Sequence, residues 1–238
     1  DERTDLLAAG LLRAGLKPLD RVIFQLVNDP ELVVFFLACL KAGVIPVCTL
    51  AAHRMAEIGY LARHAGARAH LIHGDARRFD FRAFSRDVRA EVPTMALTVC
   101  ATGTAQGDEW DFASLTSGLT VEAARAVLGA VEHDPAQVAV FQLSGGTSGT
   151  PKIIPRFHDE YLFQILNSAR LQGLDENTVA FSPAPMMHNA PIVCYWGSVL
   201  WSGGTVVCCG EMGPGAIADT IMAFRPNWMA IPLALLAK

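Results

Sequence analysis

Short apolar runs alternate steadily with stretches of helical spacing along this chain. Arg21–Leu26, Val44–Leu50, Ala69–Ile72, Ala96–Cys100, Val138–Leu143, Thr178–Phe181, Thr205–Cys208 and Trp228–Ile231 are rich in β-formers and bounded by turn residues, so they read as strands. Glu31–Ala42 (closed by Gly43), Glu57–Ala65, Asp80–Glu91, a segment from His158-Asp159 to about Leu171, an apolar stretch ending near Trp201, and Pro214–Phe224 read as helices. Buried strands alternating with helices specify an α/β protein with largely parallel sheets, because parallel neighbours need a helical crossover. Ligands of such folds gather at the carboxyl ends of strands. Ala101–Thr120, rich in Gly, Thr, Ser and Asp, interrupts the alternation and reads as a surface excursion.

Composition narrows the functional classes. With 52% of 238 residues hydrophobic and 18% charged, the chain can bury a large core and is not of a disordered type. Its net charge of −4 offers no basic excess, so neither nucleic acid nor an anionic membrane is an expected partner. The longest apolar run, Leu32–Leu40, closed by Lys41, is too short to span a bilayer. The opening Asp-Glu-Arg-Thr-Asp lacks the order of a signal peptide. Cys39, Cys48, Cys100, Cys194, Cys208 and Cys209 form no C-x-x-C pair, which predicts buried free thiols in a reducing cytoplasm. His53, His64, His70, His73, His133 and His158 show no metal-ligand spacing, and no metal centre is expected. The chain opens inside an amphipathic helix (Leu6, Leu7, Leu11, Leu12) and stops in the apolar stretch Trp228–Leu236, so a piece of a longer protein is expected.

One segment carries chemistry. Ser144-Gly145-Gly146-Thr147-Ser148-Gly149-Thr150-Pro151-Lys152 places three glycines, four hydroxyls and a lysine directly after a strand. Glycines let backbone N–H groups turn toward an anion, hydroxyls add donors, and a lysine supplies a point charge for phosphate. It is neither G-x-x-x-x-G-K-[ST] nor G-x-G-x-x-G. Composition alone fits an ordinary surface turn equally well.

The order of these residues resembles the phosphate-binding loop of the adenylate-forming superfamily, [ST]-[SG]-G-[ST]-[ST]-G-x-P-K. The continuation Ile153-Ile154-Pro155-Arg156-Phe157-His158-Asp159-Glu160-Tyr161 is similar to that of the stand-alone aryl-acid–AMP ligases, as is Pro185-Met186-Met187-His188-Asn189-Ala190-Pro191. Asp20-Arg21-Val22, Leu40–Val47, Ala52-His53-Arg54 and Glu57-Ile58 extend the resemblance over nearly the whole chain.

The resemblance implies two layered α/β lobes of an incomplete N-terminal adenylation domain. Lobe A would run from about residue 20 to 161 and lobe B from about 162 to 238, with the opening helix, 1–16, in lobe B. It implies activation of an ortho-hydroxy aromatic carboxylic acid by ATP, with Mg²⁺, to an aryl-AMP, then transfer to a phosphopantetheine thiol of an aryl carrier protein. Salicylate and 2,3-dihydroxybenzoate are the acids of that branch, which serves siderophore and aryl-capped peptide biosynthesis. Ser144, Gly145, Gly146, Thr147, Ser148, Gly149, Thr150 and Lys152 would hold the phosphates, Lys152 being otherwise a solvated loop lysine. His188 would gate or position the reacting carboxylate, or else is a satisfied structural histidine. It is not read as a general base, since a carboxylate is already ionised at neutral pH.

Asn189 would bond the ortho-hydroxyl, or else is a turn asparagine before Ala-Pro. Cys194 stands where dihydroxybenzoate-type relatives carry serine, or else is an ordinary buried cysteine. Ala190 departs from the branch's usual tyrosine, which opens volume for a bulkier or substituted aromatic acid; Val193 departs from its usual small residue, so the pocket copies neither subtype. The later Tyr-Gly-x-Thr-Glu stretch, the ribose-binding Asp, and the C-terminal domain with its Lys are absent from these residues. The chain alone is therefore expected to be inactive. Two rivals stand beside this reading: an aryl- or acyl-CoA ligase, and a non-catalytic fragment or pseudoenzyme.

Overall fold

The computed structural model describes residues 1–76, 78–145, 151–211 and 213–231. It divides into two compact units, Asp1–Leu26 with Glu31–Phe157, and Val27–Pro30 with His158–Lys238.

The first unit runs α1 (Glu2–Arg13), β1 (Arg21–Gln25), α2 (Pro30–Lys41), β2 (Ile45–Cys48), α3 (Met55–Ala65), β3 (Ala69–His73), α4 (Phe81–Glu91), β4 (Leu97–Thr102), β5 (Trp110–Asp111), α5 (Phe112–Thr116), α6 (Val121–Leu128), β6 (Val138–Leu143) and β7 (Ile153–Phe157). Its seven strands lie in the order β5-β4-β3-β1-β2-β6-β7. All neighbours are parallel except β6 and β7, whose antiparallel register pairs Leu143 with Ile153. The expected α/β class with a parallel-dominated sheet is therefore what forms. The central strands are buried along their length, so they are apolar on both faces rather than alternating. Ile58, Leu61, Ala62 and Ala65 of α3 pack with Phe84 and Val88 of α4 over Ile23 and Val47 of the sheet.

Two sequence expectations are corrected here. The opening helix, assigned by resemblance to the second lobe, lies in the first unit. Asp5 explains why: its buried carboxylate bonds Lys41 of α2 at 2.5 Å and Arg125 of α6 at 2.9 Å. Burial alone would raise its pKa, but the two cations outweigh burial and hold it below the usual carboxylate range. Arg13 adds bonds to the carbonyls of Ser114, Leu115 and Ser117. The second correction concerns Ala101–Thr120, which is not a loose excursion. It supplies β5 at the sheet edge and α5, whose Leu115 is fully buried. Asp111 caps α5 by accepting from the Ser114 N–H at 2.8 Å.

Gly10 of α1 makes that closeness checkable. A Cβ there would lie 2.5 Å from the Leu115 carbonyl oxygen, which is backbone and cannot swing away. Gly10→Ala is expected to destabilise the protein by about 1–3 kcal/mol through overpacking, despite alanine's better helix propensity. Urea unfolding measures this; a variant as stable as wild type would mean that α1 and α5 do not touch there.

The sheet of the first unit also holds a polar chain. Arg89 donates to Thr98 at 3.4 Å, and Thr98 and Ser85 are 2.9 Å apart. His70 lies 3.1 Å from Ser85 through Nδ1 and 3.1 Å from the Gln25 Oε1 through Nε2, and Gln25 donates onward to the His53 carbonyl at 2.7 Å. An amide oxygen only accepts, so Nε2 carries the proton and Nδ1 accepts from Ser85. Burial pushes the pKa of His70 down to about 3.

The second unit contains α7 (His158–Gln172), β8 (Val179–Phe181), α8 (Asn189–Pro191), α9 (Gly197–Trp201), β9 (Thr205–Val207), α10 (Pro214–Phe224) and β10 (Trp228–Met229). The residues between α8 and α9, Ile192–Trp196, form a wide π-helical turn. Its strands make a parallel sheet in the order β10-β8-β9. Tyr195 donates to the Val207 carbonyl at 2.7 Å and stacks on Trp228 at 5.9 Å between ring centres, so the turn is anchored to two of the strands.

Candidate functional site

In the first unit, Ser144-Gly145 and Pro151-Lys152 form the neck of a hairpin loop at the carboxyl end of β6, a strand parallel to β2. The Ser144 N–H donates to the Lys152 carbonyl at 2.9 Å, and the Lys152 N–H donates to the Ser144 hydroxyl at 3.0 Å. The neck is thus closed by backbone groups, and the Lys152 side chain is left exposed. A Cβ at Gly145 would meet nothing within 4 Å among the described residues. Gly146, Thr147, Ser148, Gly149 and Thr150 lie outside the described residues.

In the second unit, His188, Asn189, Ala190 and Cys194 come together at the start of one helical run. His188 is held in a turn by its N–H donating to the Pro185 carbonyl at 3.1 Å. It keeps an exposed surface, yet the protein around the imidazole partly desolvates it and lowers its pKa, favouring the neutral ring. Asn189 is half-buried, and Ala190 and Cys194 are exposed four residues apart on one side. The alternative of Cys194 as an ordinary buried core cysteine is excluded. Cys39, Cys48, Cys100 and Cys209 are buried and Cys208 half-buried, and all six are free thiols. Val193 is buried and faces the core.

Sequence reasoning missed the residue that fixes this turn. Asn28, 4% exposed, donates to the Ala184 carbonyl at 2.8 Å and accepts from the Met186 N–H at 2.8 Å. Trp196 donates to the Met186 carbonyl at 2.9 Å, so the Met186 peptide groups are held from both sides, two residues before His188. Asn28-Asp29-Pro30 reads locally as a helix start, and partners more than 150 residues away leave no local signal. Asn28→Ala strands a buried N–H and is expected to cost about 1–3 kcal/mol. Thermal denaturation checks this; an unchanged midpoint would mean that the clamp contributes nothing.

Among the described residues, no group of three or more His, Cys, Asp or Glu could hold a metal ion, and no helix is long and apolar enough to cross a membrane.

The scaffold that presents this hairpin is a parallel-dominated α/β sheet, with the loop at a strand's carboxyl end. The AMP-binding enzyme family matches residues 1–237, and the chain belongs to that family. It is 37% identical over 238 residues to the vibriobactin-specific 2,3-dihydroxybenzoate-AMP ligase of Vibrio cholerae, covering 99% of this chain and 43% of that protein. It is 38% identical over 225 residues to a Streptomyces protein named salicylyl-CoA synthase / salicylate adenylyltransferase, covering 93% and 40%. The apo structure of MbtA from Mycobacterium smegmatis superposes with a TM-score of 0.85 at 29% identity, over 98% of this chain and 42% of that one. The chain thus spans about two fifths of the length of these relatives.

Proposed function

We propose that this chain is part of the N-terminal adenylation domain of an aryl-acid–AMP ligase, with residues 158–238 forming its second lobe. In the reaction, an ortho-hydroxy aryl carboxylate oxygen bonds to the α-phosphorus of ATP, and the bond to the departing pyrophosphate breaks. The resulting aryl-AMP passes its acyl group to a carrier-protein phosphopantetheine thiol. Positioning and charge neutralisation dominate a displacement between two anions.

The observation that carries this reading is the hairpin neck at the end of β6, with the Lys152 side chain exposed beside an open Gly145. Ser144, Gly145 and Lys152, with residues 146–150, would hold the β- and γ-phosphates. His188 would position the carboxylate, and Asn189, Ala190 and Cys194 would line the aryl ring. The described residues offer no carboxylate cluster for Mg²⁺, so no step is assigned to the metal. Free thiols throughout fit a cytoplasmic enzyme.

The name of the Streptomyces relative favours a second reading, in which coenzyme A is the acceptor. The test is ATP–pyrophosphate exchange by the full-length protein across salicylate, 2,3-dihydroxybenzoate, benzoate and a bicyclic hydroxy acid, followed by transfer to holo carrier protein or to coenzyme A. Exchange with ortho-hydroxy acids and transfer to the carrier protein are expected; exchange with none of the acids would sink the proposal.

Asn189→Leu is expected to lower kcat/KM for salicylate by roughly one to two decades while sparing benzoate, since a buried hydrogen bond is worth about 1–3 kcal/mol. Equal losses for both acids would remove Asn189 from the aryl wall.

A further inference from the structure

The helical run that begins at Asn189 is not regular. Between α8 and α9 it takes one residue more per turn, and the Gly197 N–H donates to the Ile192 carbonyl, five residues back, instead of four. Two neighbours permit this. A Cβ at Gly197 would fall inside the contact radius of the Ile192 carbonyl oxygen, so only glycine fits that close approach. Ser198, fully buried, turns its hydroxyl onto the Val193 carbonyl and lies 3.2 Å from the Ile165 carbonyl of α7. The hydroxyl therefore caps a carbonyl at the wide turn and ties the helix to α7 at the same point.

The extra residue has a geometric effect. One residue of an α-helix is about 100° of rotation. On one side of the turn, α9 is docked through Ser198 and Val199, both fully buried. On the other side, Asn189 is half-buried and Ala190 exposed; within the turn Cys194 is exposed, while Trp196 and Tyr195 are tied to the Met186 and Val207 carbonyls. A regular helix could not satisfy both sets. Keeping α9 docked would swing Asn189 and Ala190 away from the open side by about that angle.

We propose that Gly197 and Ser198 are positioning residues that set aryl-acid selectivity, by holding the wide turn that aims Asn189, Ala190 and Cys194. The proposal rests on the aryl-acid reading above, because it gives a specificity role to residues that touch no substrate.

The test uses the full-length protein and the variants Ser198→Ala and Gly197→Ala. Two readouts are taken: pyrophosphate exchange with salicylate and with benzoate, and the rate at which a small maleimide labels Cys194, assigned by peptide mapping. In both variants the salicylate-to-benzoate ratio of kcat/KM is expected to fall at least about tenfold, with KM for ATP within about twofold of wild type. Cys194 labelling is expected to slow by a similar factor as its side chain rotates off the open face. A purely structural loss lowers the folded fraction and scales both acids alike, leaving the ratio untouched. Ser198→Ala adds no atoms, and it decides the matter if Gly197→Ala does not fold. An unchanged ratio in folded Ser198→Ala, beside a selective wild type, would overturn this inference alone. A wild type that exchanges with no aryl acid would overturn the functional reading and the selectivity claim with it.

Discussion

Lys152→Met in the full-length protein is expected to cut ATP–pyrophosphate exchange by roughly ten- to a hundredfold while leaving the melting temperature where it is. The Lys152 main chain closes the hairpin neck through its N–H and carbonyl, which methionine keeps. The side chain is exposed, so removing its charge costs the fold little. A charge-assisted hydrogen bond to phosphate is worth about 1.5–3 kcal/mol, and about 1.4 kcal/mol is a decade in rate. Gly145→Val complements it. Among the described residues nothing lies within 4 Å of a Cβ at that position, so the added methyls are expected to harm little until a polyphosphate needs the room. The KM for ATP should rise by at least about tenfold, with stability unchanged. Steady-state exchange kinetics beside thermal melts measure both variants. Wild-type kinetics in either would make the segment 144–152 an ordinary surface turn.

The second large effect is a loss of stability in acid. His70 is neutral inside the sheet down to about pH 3, whereas in the unfolded chain it titrates near the ordinary histidine value of 6.5. Below 6.5 the unfolded state takes up a proton that the folded state refuses. The stabilisation is therefore complete above pH 6.5 and is lost as the pH falls toward 3, at about 1.4 kcal/mol per unit. Paired carboxylates such as Asp5 and Asp108 also have lowered pKa values, but they act below the ordinary carboxylate range. His70→Gln removes the titration and keeps polar groups near Ser85 and Gln25. Between pH 6.5 and 5, wild type should lose stability more steeply than the variant by about 1.4 kcal/mol per unit. Parallel curves in urea titrations across that window would show that His70 takes up its proton without unfolding.

The strands were legible because burial on both faces leaves an uninterrupted apolar run. Val22 to Phe24 and Ile45 to Cys48 could hardly be anything else once turns bracket them. The hairpin was legible as a motif through its glycines and hydroxyls. What escaped was whatever depends on partners remote in sequence. The place of α1 is decided by Asp5 meeting Arg125, 120 residues on. Trp110, Phe112 and Leu115 stand in a run of only six residues broken by polar ones, too short to set a period, yet Trp110 joins a sheet edge and Leu115 a core. The wide turn at Ile192–Trp196 is invisible to a periodicity argument because the run is apolar on nearly every side. Its only local trace is Gly197-Ser198, which a helix former would replace without loss in a regular helix. The open face of Cys194 could not be read from its apolar neighbours for the same reason.

The strand order of the first unit carries a cost during synthesis. Growth outward from β1 lets β3 and then β4 dock as soon as they leave the ribosome, but β2 must wait for β6. About ninety residues separate Cys48 from Val138. At translation rates of ~5–20 residues per second, that edge stands open for roughly 5–20 seconds. An open parallel edge is a template for another nascent chain. The Ile45 N–H bonds back to the Asp20 carbonyl on the β1 side, so the next residue, Pro46, turns toward the waiting edge. Proline has no N–H to offer a stranger there, and the nascent sheet is blunted on its vulnerable side until its own partner arrives.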